Sequence, residues 1–498
     1  MTTSINSVDD LSADQRALLI MRLRKRSAAR SETRATSILP ISRDGDLLLS
    51  FGQQRLWFVH QLNPDDSSYN LPVAFSLFGR LDISVLERTL NKIISRHEVL
   101  RTTFPSVDGK VFQVISPEQR LSLPFVDLSE LPKVAAQAEA ELLAAQEARR
   151  PFDLASGPLM RVSVLKRGDE SYIVLFTMHH SISDGWSMGV LVREVKILYQ
   201  SLLEGNEPDL EELPIQYADY ANWQREYLQG AALEAQLDYW RKQLGGIPAR
   251  LELPTDRPRP RAQSYRGDQQ DFIIAADLAE SLKSLSRREG VTLFMTVLAA
   301  FQTLLHLYSG KDDIAVGTPI AGRNRIETEN LIGLFINTLV LRADLSADPA
   351  FAVLLRRVRE ITLSAYANQD VPFEKIVEEV RPERSLSHAP LFQVMFALHN
   401  VPASSLEIPG LTLAPVRRNP DTTKFDLSLY MEEREEQLFS SLQYSTDLFE
   451  PQTIERMAKQ FQTLLKSIVE DPQRSLSCLP ISEVAQRDGL LTDFNEDF

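Results

Sequence analysis

The stretch MHHSISDGWS, residues 178–187, decides how this chain is interpreted. Before it, YIVLF (residues 172–176) is apolar and rich in β-forming side chains, which predicts a buried strand. After it, apolar residues recur at helical spacing over residues 188–202, which predicts a helix. A strand–loop–helix junction holds side chains rigidly at an exposed edge, which is a common position for a catalytic base. The histidines, aspartate and glycine of this loop are therefore the candidate functional residues.

Two other interpretations of the loop stand beside a catalytic one. A histidine is more often a packed interior residue than a base. His179, His180 and Asp184 also offer part of a metal site. They supply at most three ligands, however, the single cysteine, Cys478, is far away in the sequence, and no HExxH or CxxC pairing is present. We therefore expect no metal.

The composition is that of an ordinary globular protein. The 498 residues are enough for two domains or two large lobes, and 43% are hydrophobic and 24% charged. The formal net charge of −14 and the lack of a basic run with interleaved aromatics argue against a nucleic-acid binder. One cysteine permits no internal disulfide, which suits a cytoplasmic protein. We expect no signal peptide and no membrane span, because the apolar run at residues 17–21 is short and basic residues follow it.

The sequence patterns divide the chain into four segments. Residues 1–45 predict a polar tail and one short helix, which is either a docking element for another subunit or packed on the lobe behind it. Residues 46–252 alternate strand and helix patterns, which predicts an α/β N-terminal lobe. A proline-rich breaker at residues 253–260 is the expected crossing into a second mixed lobe over residues 253–470. Residues 471–498 are polar and irregular.

Seven segments in order resemble the condensation domains of nonribosomal peptide synthetases. They are SFGQQRLWF (50–58), RHEVLRTTF (96–104), HHSISDG (179–185), YADYANW (217–223), IGLFINT (332–338), NQDVPFE (368–374) and PLFQVMF (390–396). The HHxxxDG pattern alone also occurs in epimerisation domains, whereas seven segments at similar spacing are specific. The resemblance implies an α/β fold of two chloramphenicol-acetyltransferase-like lobes, arranged in a V with a tunnel at their interface.

The chemistry that the resemblance implies is amide formation. The amine of a carrier-bound aminoacyl group would attack the carbonyl of a donor acyl thioester. Both substrates would arrive on phosphopantetheine arms, so that the chain itself would carry no covalent cofactor. The expected partners are a peptidyl carrier domain as acceptor, an acyl-CoA or a second carrier as donor, and an adjacent adenylation domain. The tail LLTDFN (residues 490–495) resembles the beginning of such a domain, so residues 471–498 are interpreted as a linker toward it.

The resemblance also assigns roles within the loop. His180 is expected to be the working side chain, either as general base, typically worth ~10²–10⁴-fold, or by holding the amine in place. His179 is expected to fix the loop. Asp184 is expected to form a structural ion pair with Arg323 of the second lobe; an aspartate that orients a histidine, as in a catalytic triad, is the competing interpretation. Gly185 would let the substrate approach the backbone and would turn its N–H toward the oxyanion.

Three further residues are candidates for substrate contacts. Ser187 and Asn337 are expected to add polar contacts near the tunnel. Trp186 is a third candidate, although packing is the commoner role of such a side chain.

The first segment distinguishes between kinds of condensation domain. FGQQRLWF (residues 51–58) resembles the subtype that takes L-configured donors and the similar starter subtype. Since no carrier domain precedes it, we favour slightly a starter domain that N-acylates the first amino acid of a lipopeptide from acyl-CoA. An elongation domain supplied by an upstream peptidyl carrier in trans stays open. So do a non-catalytic recruiting domain and a stand-alone CoA-dependent acyltransferase.

Overall fold

The computed structural model describes most of the chain, namely residues 37–383, 385–399, 407–408, 410–416 and 422–480. The predicted short N-terminal helix and the tail at residues 490–495 lie outside the described residues. The secondary structure is mixed throughout, with long helices between strands.

The α-helices lie on both sides of the proline-rich crossing. In chain order they are α1 (Phe51–Leu62), α2 (Ile83–Arg96), α3 (Lys133–Arg149), α4 (Gly185–Glu204), α5 (Tyr217–Tyr227), α6 (Gly230–Leu244), α7 (Ala276–Glu289), α8 (Leu293–Ser309), α9 (Phe351–Ala367), α10 (Phe373–Val380) and α11 (Pro451–Glu470). Among the described residues no single helix is long and apolar enough to cross a membrane. Helices α7 and α8, which are bent by 104° at their junction, together have the length and the apolar composition of a membrane-spanning segment.

The strands form two large sheets and two sheets of two short strands each. In chain order they are β1 (Asn70–Gly79), β2 (Thr102–Thr103), β3 (Ser106–Val107), β4 (Lys110–Val111), β5 (Val114–Ile115), β6 (Phe125–Asp127), β7 (Met160–Gly168), β8 (Ser171–His179), β9 (Gly267–Ile274), β10 (Asp313–Ile320), β11 (Asn337–Asp344), β12 (Val394–His399), β13 (Glu407–Ile408), β14 (Leu411–Pro415), β15 (Leu427–Arg434) and β16 (Gln437–Ser445).

Each large sheet is the centre of one lobe. The first has the strand order β13-β14-β1-β8-β7-β6 and the second the order β11-β10-β12-β15-β16-β9. Both are mixed, since β6 runs parallel to β7 in the first and β12 runs parallel to β10 and β15 in the second. Separate hydrophobic cores cover the two sheets. The predicted α/β fold of two lobes is therefore confirmed.

Strand β8 is buried on both faces, which explains its continuous apolar sequence. Val174 and Phe176 face the main core of the first lobe, which α2 and α4 cover. Ile173 and Leu175 face the opposite side, where Ala136 and other residues of α3 pack. A strand covered on both faces has no solvent side and so shows no polar alternation. The end of β8 is therefore held firmly, and the loop after it starts from a rigid support.

Several segments cross the division that the sequence predicts between residues 252 and 253. Strand β14 joins the first sheet by pairing with β1, with Leu413 opposite Leu77. Helix α6 packs in the core of the second lobe. Phe335, shortly before β11, is buried in the core of the first lobe. The lobes therefore exchange segments, and this exchange brings residues from distant parts of the sequence to the loop after β8.

Candidate active site at the junction of the lobes

The loop after β8 is anchored at both ends. The last residue of β8, His179, pairs with Asn70 of β1. The next backbone N–H, that of His180, donates to the carbonyl of Tyr69 at 2.9 Å. At the other end Asp184 caps α4, because its side chain accepts the N–H of the third residue of the helix. The predicted strand–loop–helix junction is thus present, and its backbone is fixed by a strand pair on one side and a helix cap on the other.

His180 has one ring nitrogen engaged and one available. Its ring is half-buried, and Nδ1 lies 2.8 Å from the carbonyl oxygen of Ser183. A carbonyl oxygen only accepts hydrogen bonds, so Nδ1 carries the proton and Nε2 presents its lone pair. Within the described part of the chain no hydrogen bond to Nε2 is formed. Burial lowers the pKa of His180 below its ordinary value, and the nearby ammonium of Lys424 lowers it further. The ring is therefore neutral near pH 7, with Nε2 as a hydrogen-bond acceptor.

His179 has a different environment. It is 4% exposed, and its ring meets that of Phe152 edge-on at a centroid distance of 6.0 Å. Nδ1 accepts the backbone N–H of Ser181 at 3.2 Å and lies 2.8 Å from the Ser181 hydroxyl. Burial is the main cause that lowers the pKa of His179 to about 3, and the neighbouring basic side chains of His180, His60 and Lys424 add to it. The His179 ring is therefore neutral, and it holds the turn by packing on Phe152 and by accepting the N–H of Ser181.

Both carboxylate oxygens of Asp184 are occupied. Oδ1 accepts the backbone N–H of Ser187 at 2.8 Å and the Ser187 hydroxyl at 2.7 Å, and it lies 3.3 Å from Nη2 of Arg323. Oδ2 accepts the backbone N–H of Phe335 at 2.9 Å. Two of these partners, Arg323 and Phe335, come from beyond the proline-rich crossing. Asp184 therefore joins the start of α4 to the second half of the chain.

Arg323 completes this connection from its own side. The side chain is buried, and Nη2 donates to the Ser187 hydroxyl at 2.7 Å. Nη1 donates to the carbonyl of Leu331 at 2.7 Å and also to that of Thr328. The guanidinium lies over the Phe335 ring, 4.0 Å from its centroid. We call Asp184, Ser187, Arg323 and the backbone of residues 331–335 the inter-lobe junction.

The triad-like interpretation is wrong, because the carboxylate of Asp184 does not bond to a histidine. The Nδ1 proton of His180 goes to a backbone carbonyl, that of Ser183. The four donors described above occupy both oxygens of Asp184. The loop's own backbone, and not a carboxylate, selects the tautomer of the imidazole.

Two predicted substrate contacts are corrected by the geometry. Ser187 is fully buried, and its hydroxyl bonds to Asp184, to Arg323 and to the backbone of Gly333. Asn337 is half-buried, and its NH₂ group donates to the carbonyls of Gln369 and Val371 at 2.9 and 2.8 Å. Its oxygen accepts the backbone N–H groups of Thr338 and Phe373. Neither side chain has hydrogen-bonding capacity left for a substrate, and both hold loops of the protein instead.

Gly185 and Trp186 lie on the accessible side of the loop. Gly185 is the first residue of α4 and is exposed, and a Cβ added there would meet no atom within 4 Å. Its backbone conformation also does not require glycine, because its φ is not positive. Trp186 is 48% exposed and donates from Nε1 to the carbonyl of Glu329 at 2.9 Å. Its role as a substrate contact stays a prediction.

Sequence reasoning missed one charged neighbour of the loop. Lys424, between β14 and β15, places its ammonium 3.9 Å from the centre of the Tyr69 ring. Tyr69 is the residue whose carbonyl holds the N–H of His180. No pattern in the sequence connects residues 69 and 424. We call His180, Gly185, Trp186 and Lys424 the open side of the loop.

No group of three or more His, Cys, Asp or Glu side chains in the described ranges is arranged to hold a metal ion. His179 and Asp184 direct their polar atoms into the protein, at Ser181 and at the inter-lobe junction.

Comparison with known proteins identifies the family. The family described as the condensation domain matches residues 43–491. One of the proteins that make up linear gramicidin synthase from Brevibacillus parabrevis is 49% identical over 461 residues, which cover 92% of this chain and 9% of that protein. The chain belongs to the condensation-domain family, as the seven segments indicated, and it spans less than a tenth of the length of that relative.

Solved structures give the same fold. The X-domain from teicoplanin biosynthesis is similar with a TM-score of 0.81 and 29% identity, over 90% of this chain and 100% of that one. The starter condensation domain of rhizomide synthetase, in complex with C8-CoA, is similar with a TM-score of 0.75 over 87% of this chain and 97% of that one. At 21% identity the second likeness shows the fold alone.

Proposed function

We propose that the chain forms the amide bond between a donor acyl thioester and the amine of a carrier-bound aminoacyl thioester, as part of a nonribosomal peptide synthetase. The proposal rests on the hydrogen bonding and the charge of the His180 ring. Its Nδ1 proton is held by the Ser183 carbonyl, its Nε2 is available, and burial keeps the ring neutral. A neutral imidazole with an open acceptor nitrogen is what proton removal from an amine requires.

The proposed reaction requires the protein to position the two substrates and to supply one proton acceptor. The neutral amine attacks the thioester carbonyl carbon and forms the C–N bond, and the carbonyl oxygen becomes an oxyanion. Nε2 of His180 accepts the excess proton of the attacking nitrogen, or holds that nitrogen by a hydrogen bond. The C–S bond then breaks, and the leaving thiolate takes the proton. Orientation of the two reactants contributes much of the acceleration in such a reaction.

The start of α4 is a suitable site for the oxyanion. The first N–H groups of a helix have no partner within the helix and carry partial positive charge. Gly185 is the first residue of α4, and a Cβ added to it would meet no protein atom within 4 Å. Because neither φ nor packing requires glycine at this position, the open space supports a role in admitting the substrate. We assign the Gly185 N–H to the oxyanion.

The substrates and partners follow from the family. Both acyl groups would arrive on phosphopantetheine arms, the acceptor on a peptidyl carrier domain, and an adenylation domain would be a neighbour in the synthetase. The donor is either an acyl-CoA or a carrier-borne acyl group. The slight preference for a starter domain stays a prediction, since the likeness to a solved starter domain concerns the fold alone.

The test is acyl transfer followed by intact-protein mass spectrometry. The protein is mixed with an aminoacyl-loaded carrier and, in separate reactions, with a panel of acyl-CoAs or with a peptidyl-loaded donor carrier. His180→Ala is the active-site variant. His306→Ala is the matched control, because His306 lies in the last turn of α8 and bonds to the carbonyl of Lys311.

The outcomes separate the candidates. A mass gain on the acceptor carrier that needs His180 but not His306 supports the proposal; gain from acyl-CoA identifies a starter domain, and gain only from the donor carrier identifies an elongation domain. No gain from either donor overturns the proposal. A non-catalytic recruiting domain would then be the better interpretation; the X-domain from teicoplanin biosynthesis, whose fold is similar, has been solved in a complex with OxyB.

A further inference from the structure

His97, in the second of the seven segments, is a buried histidine that the proposed reaction does not use. It directly follows α2, and its side chain is fully enclosed by protein. Its Nε2 lies 2.9 Å from Oε2 of Glu194, on α4. Its Nδ1 accepts the backbone N–H of Ile332 at 3.4 Å. One imidazole therefore joins the end of α2, the middle of α4 and the backbone of the inter-lobe junction.

The partners of His97 determine which ring nitrogen carries the proton. A backbone N–H only donates, so Nδ1 of His97 is unprotonated. Although burial raises the pKa of Glu194, the hydrogen bonds and charges of His97 and Arg96 lower it below its ordinary value, and Glu194 is a carboxylate near pH 7. The Nε2–H of His97 therefore donates to Oε2, while Nε of Arg96 donates to Oε1 at 3.0 Å. Glu194 thus orients the ring and keeps Nδ1 as an acceptor.

The backbone N–H of Ile332 depends on this acceptor. Ile332 is buried in the core of the first lobe, and within the described residues its N–H has no other hydrogen-bond partner. At such a position water does not replace a lost partner. The next N–H groups of the same segment hold the start of α4: that of Gly333 donates to Oγ of Ser187 at 3.0 Å, and that of Phe335 donates to Oδ2 of Asp184 at 2.9 Å. A displacement of Ile332 would therefore move the groups that hold the helix start.

Helix α4 is held against this segment at two points. Ser187 and Glu194 are about two helical turns apart, so both lie on the same face of α4. Gly333 contacts the first of them through both its N–H and its carbonyl. His97 joins the second to Ile332, the residue before Gly333. These contacts close a circuit between α4 and the inter-lobe junction, and such a circuit opposes sliding of the helix along its axis.

We infer that His97 is a positioning residue for amide formation: oriented by Glu194, its Nδ1 holds the backbone of Ile332 and so keeps the start of α4 in place beside the reacting carbonyl. The inference rests on the proposed function for its catalytic consequence. Because His97 is fully buried, it acts through the inter-lobe junction and not by touching a substrate. Gly185 lies between two residues that this junction holds, so a displaced junction displaces the Gly185 N–H. A misplacement of ~1 Å can lower a rate on the order of 10²-fold.

Two substitutions separate the two hydrogen bonds of the ring. In His97→Gln the amide nitrogen takes the place of Nε2 and still donates to Glu194, but the N–H of Ile332 loses its acceptor. In His97→Asn the amide oxygen takes the place of Nδ1 and still accepts that N–H, but Glu194 loses one donor. Thr89→Val is the matched control, because Thr89 is a buried residue of α2 whose hydroxyl donates to the carbonyl of Val85, in the same helix, at 2.8 Å.

The readouts are acyl-transfer kinetics and hydrogen–deuterium exchange of the whole protein. His97→Gln should lower kcat by roughly ten- to a hundredfold with little change in KM, and peptides that cover residues 331–335 should exchange faster. His97→Asn should lose less kcat and keep the slow exchange of this segment, although one donor fewer on a buried carboxylate makes it the less stable variant in thermal unfolding. Thr89→Val should match the wild type in kcat and in the exchange of residues 331–335.

A purely structural role predicts a different order, because activity would then follow stability. A larger loss of kcat in His97→Asn than in His97→Gln therefore overturns the inference, as does an equal loss in Thr89→Val. Unchanged kcat or unchanged exchange of residues 331–335 in His97→Gln also overturns it, and these two measurements still decide if the asparagine variant does not fold. If the wild type transfers no acyl group, the proposed function fails, and the exchange of residues 331–335 and 180–190 in His97→Gln still tests whether His97 holds the start of α4.

Discussion

The two sides of the loop after β8 differ in how completely their polar atoms are used. At the inter-lobe junction every oxygen of Asp184 has a donor, and the hydroxyl of Ser187 has three partners. On the open side, His180 keeps a free ring nitrogen, and the Gly185 N–H lies at an exposed helix start. A saturated buried group holds a geometry and has a fixed charge state, whereas an unsaturated accessible group can take up a proton or a ligand.

The comparison extends to the charges. The pair of Asp184 and Arg323 is buried, at 1% and 7% exposure, so the cost of removing both from water is high. Such pairs add little net stability, but loss of one partner leaves a buried charge uncompensated. Lys424 is the opposite case, because it is accessible and has only an aromatic ring as its described partner. The first charge site therefore joins the lobes, while the second leaves an ammonium accessible to solvent beside Tyr69.

The two adjacent histidines should show the largest difference between an accessible and a buried side chain of the loop. Substitution of His180 should affect activity, and substitution of His179 should affect stability. His180→Ala should lower kcat/KM for acyl transfer by ~10²–10⁴-fold, the usual contribution of a general base, with little change in the unfolding temperature. His179→Ala should instead cost roughly 1–3 kcal/mol of stability, because it removes a buried ring and leaves the Ser181 N–H without its acceptor. Steady-state kinetics and urea unfolding measure the two effects. A pattern in which both variants lose activity without loss of stability would contradict the division.

Arg323→Met should have the largest effect on stability. It removes one partner of a buried pair and leaves Asp184 charged, which typically costs ~3–5 kcal/mol. The N–H and hydroxyl donors that remain on Asp184 favour the lower end of that range. Urea unfolding measures the loss. The double variant Asp184→Asn/Arg323→Met should lose clearly less than the sum of the single variants, because the two side chains are coupled; additive losses would show that the pair is not a unit.

The elements that carry the loop could be predicted because their signals are local. The apolar run of residues 172–176 and the helical spacing that follows belong to single elements, and β8 and α4 match them. The approach of Arg323 to Asp184 was expected only through the resemblance to a family. The contact between Lys424 and Tyr69 could not be predicted, since no motif links them and only the packing of the lobes brings them together. Ser187 and Asn337 were wrong as substrate contacts for a related reason: the sequence shows a polar side chain but not the partners that already occupy it.

Acid should weaken the folded state through His179. The pKa of this buried ring falls from the ordinary 6.5 to about 3, so the unfolded chain binds the proton more readily. Its contribution to stability is complete above pH 6.5 and is lost progressively as the pH falls toward 3. At pH 5 the loss amounts to ~2 kcal/mol, since each unit of pH counts about 1.4 kcal/mol. Urea unfolding of the wild type and of His179→Gln at pH 7.5 and 5.0 isolates this contribution; an equal pH dependence in both proteins would contradict it.

Substitution of two glycines of α4 tests with the smallest expected effects whether the accessible side of the loop meets the substrate. Gly185 and Gly189 are both free of a positive φ, and a Cβ at either would meet no atom within 4 Å. Alanine at each should therefore raise stability by ~0.4–1 kcal/mol, through the lower entropy of the unfolded chain. Only at Gly185 would the new methyl group enter the space proposed for the donor carbonyl, where a tenfold loss of kcat/KM corresponds to ~1.4 kcal/mol. Gly185→Ala should thus be more stable and about tenfold less active, and Gly189→Ala more stable and fully active. Equal activities would show that the start of α4 does not meet the substrate, because the two positions share their helix and their open surroundings and differ in their distance from the loop.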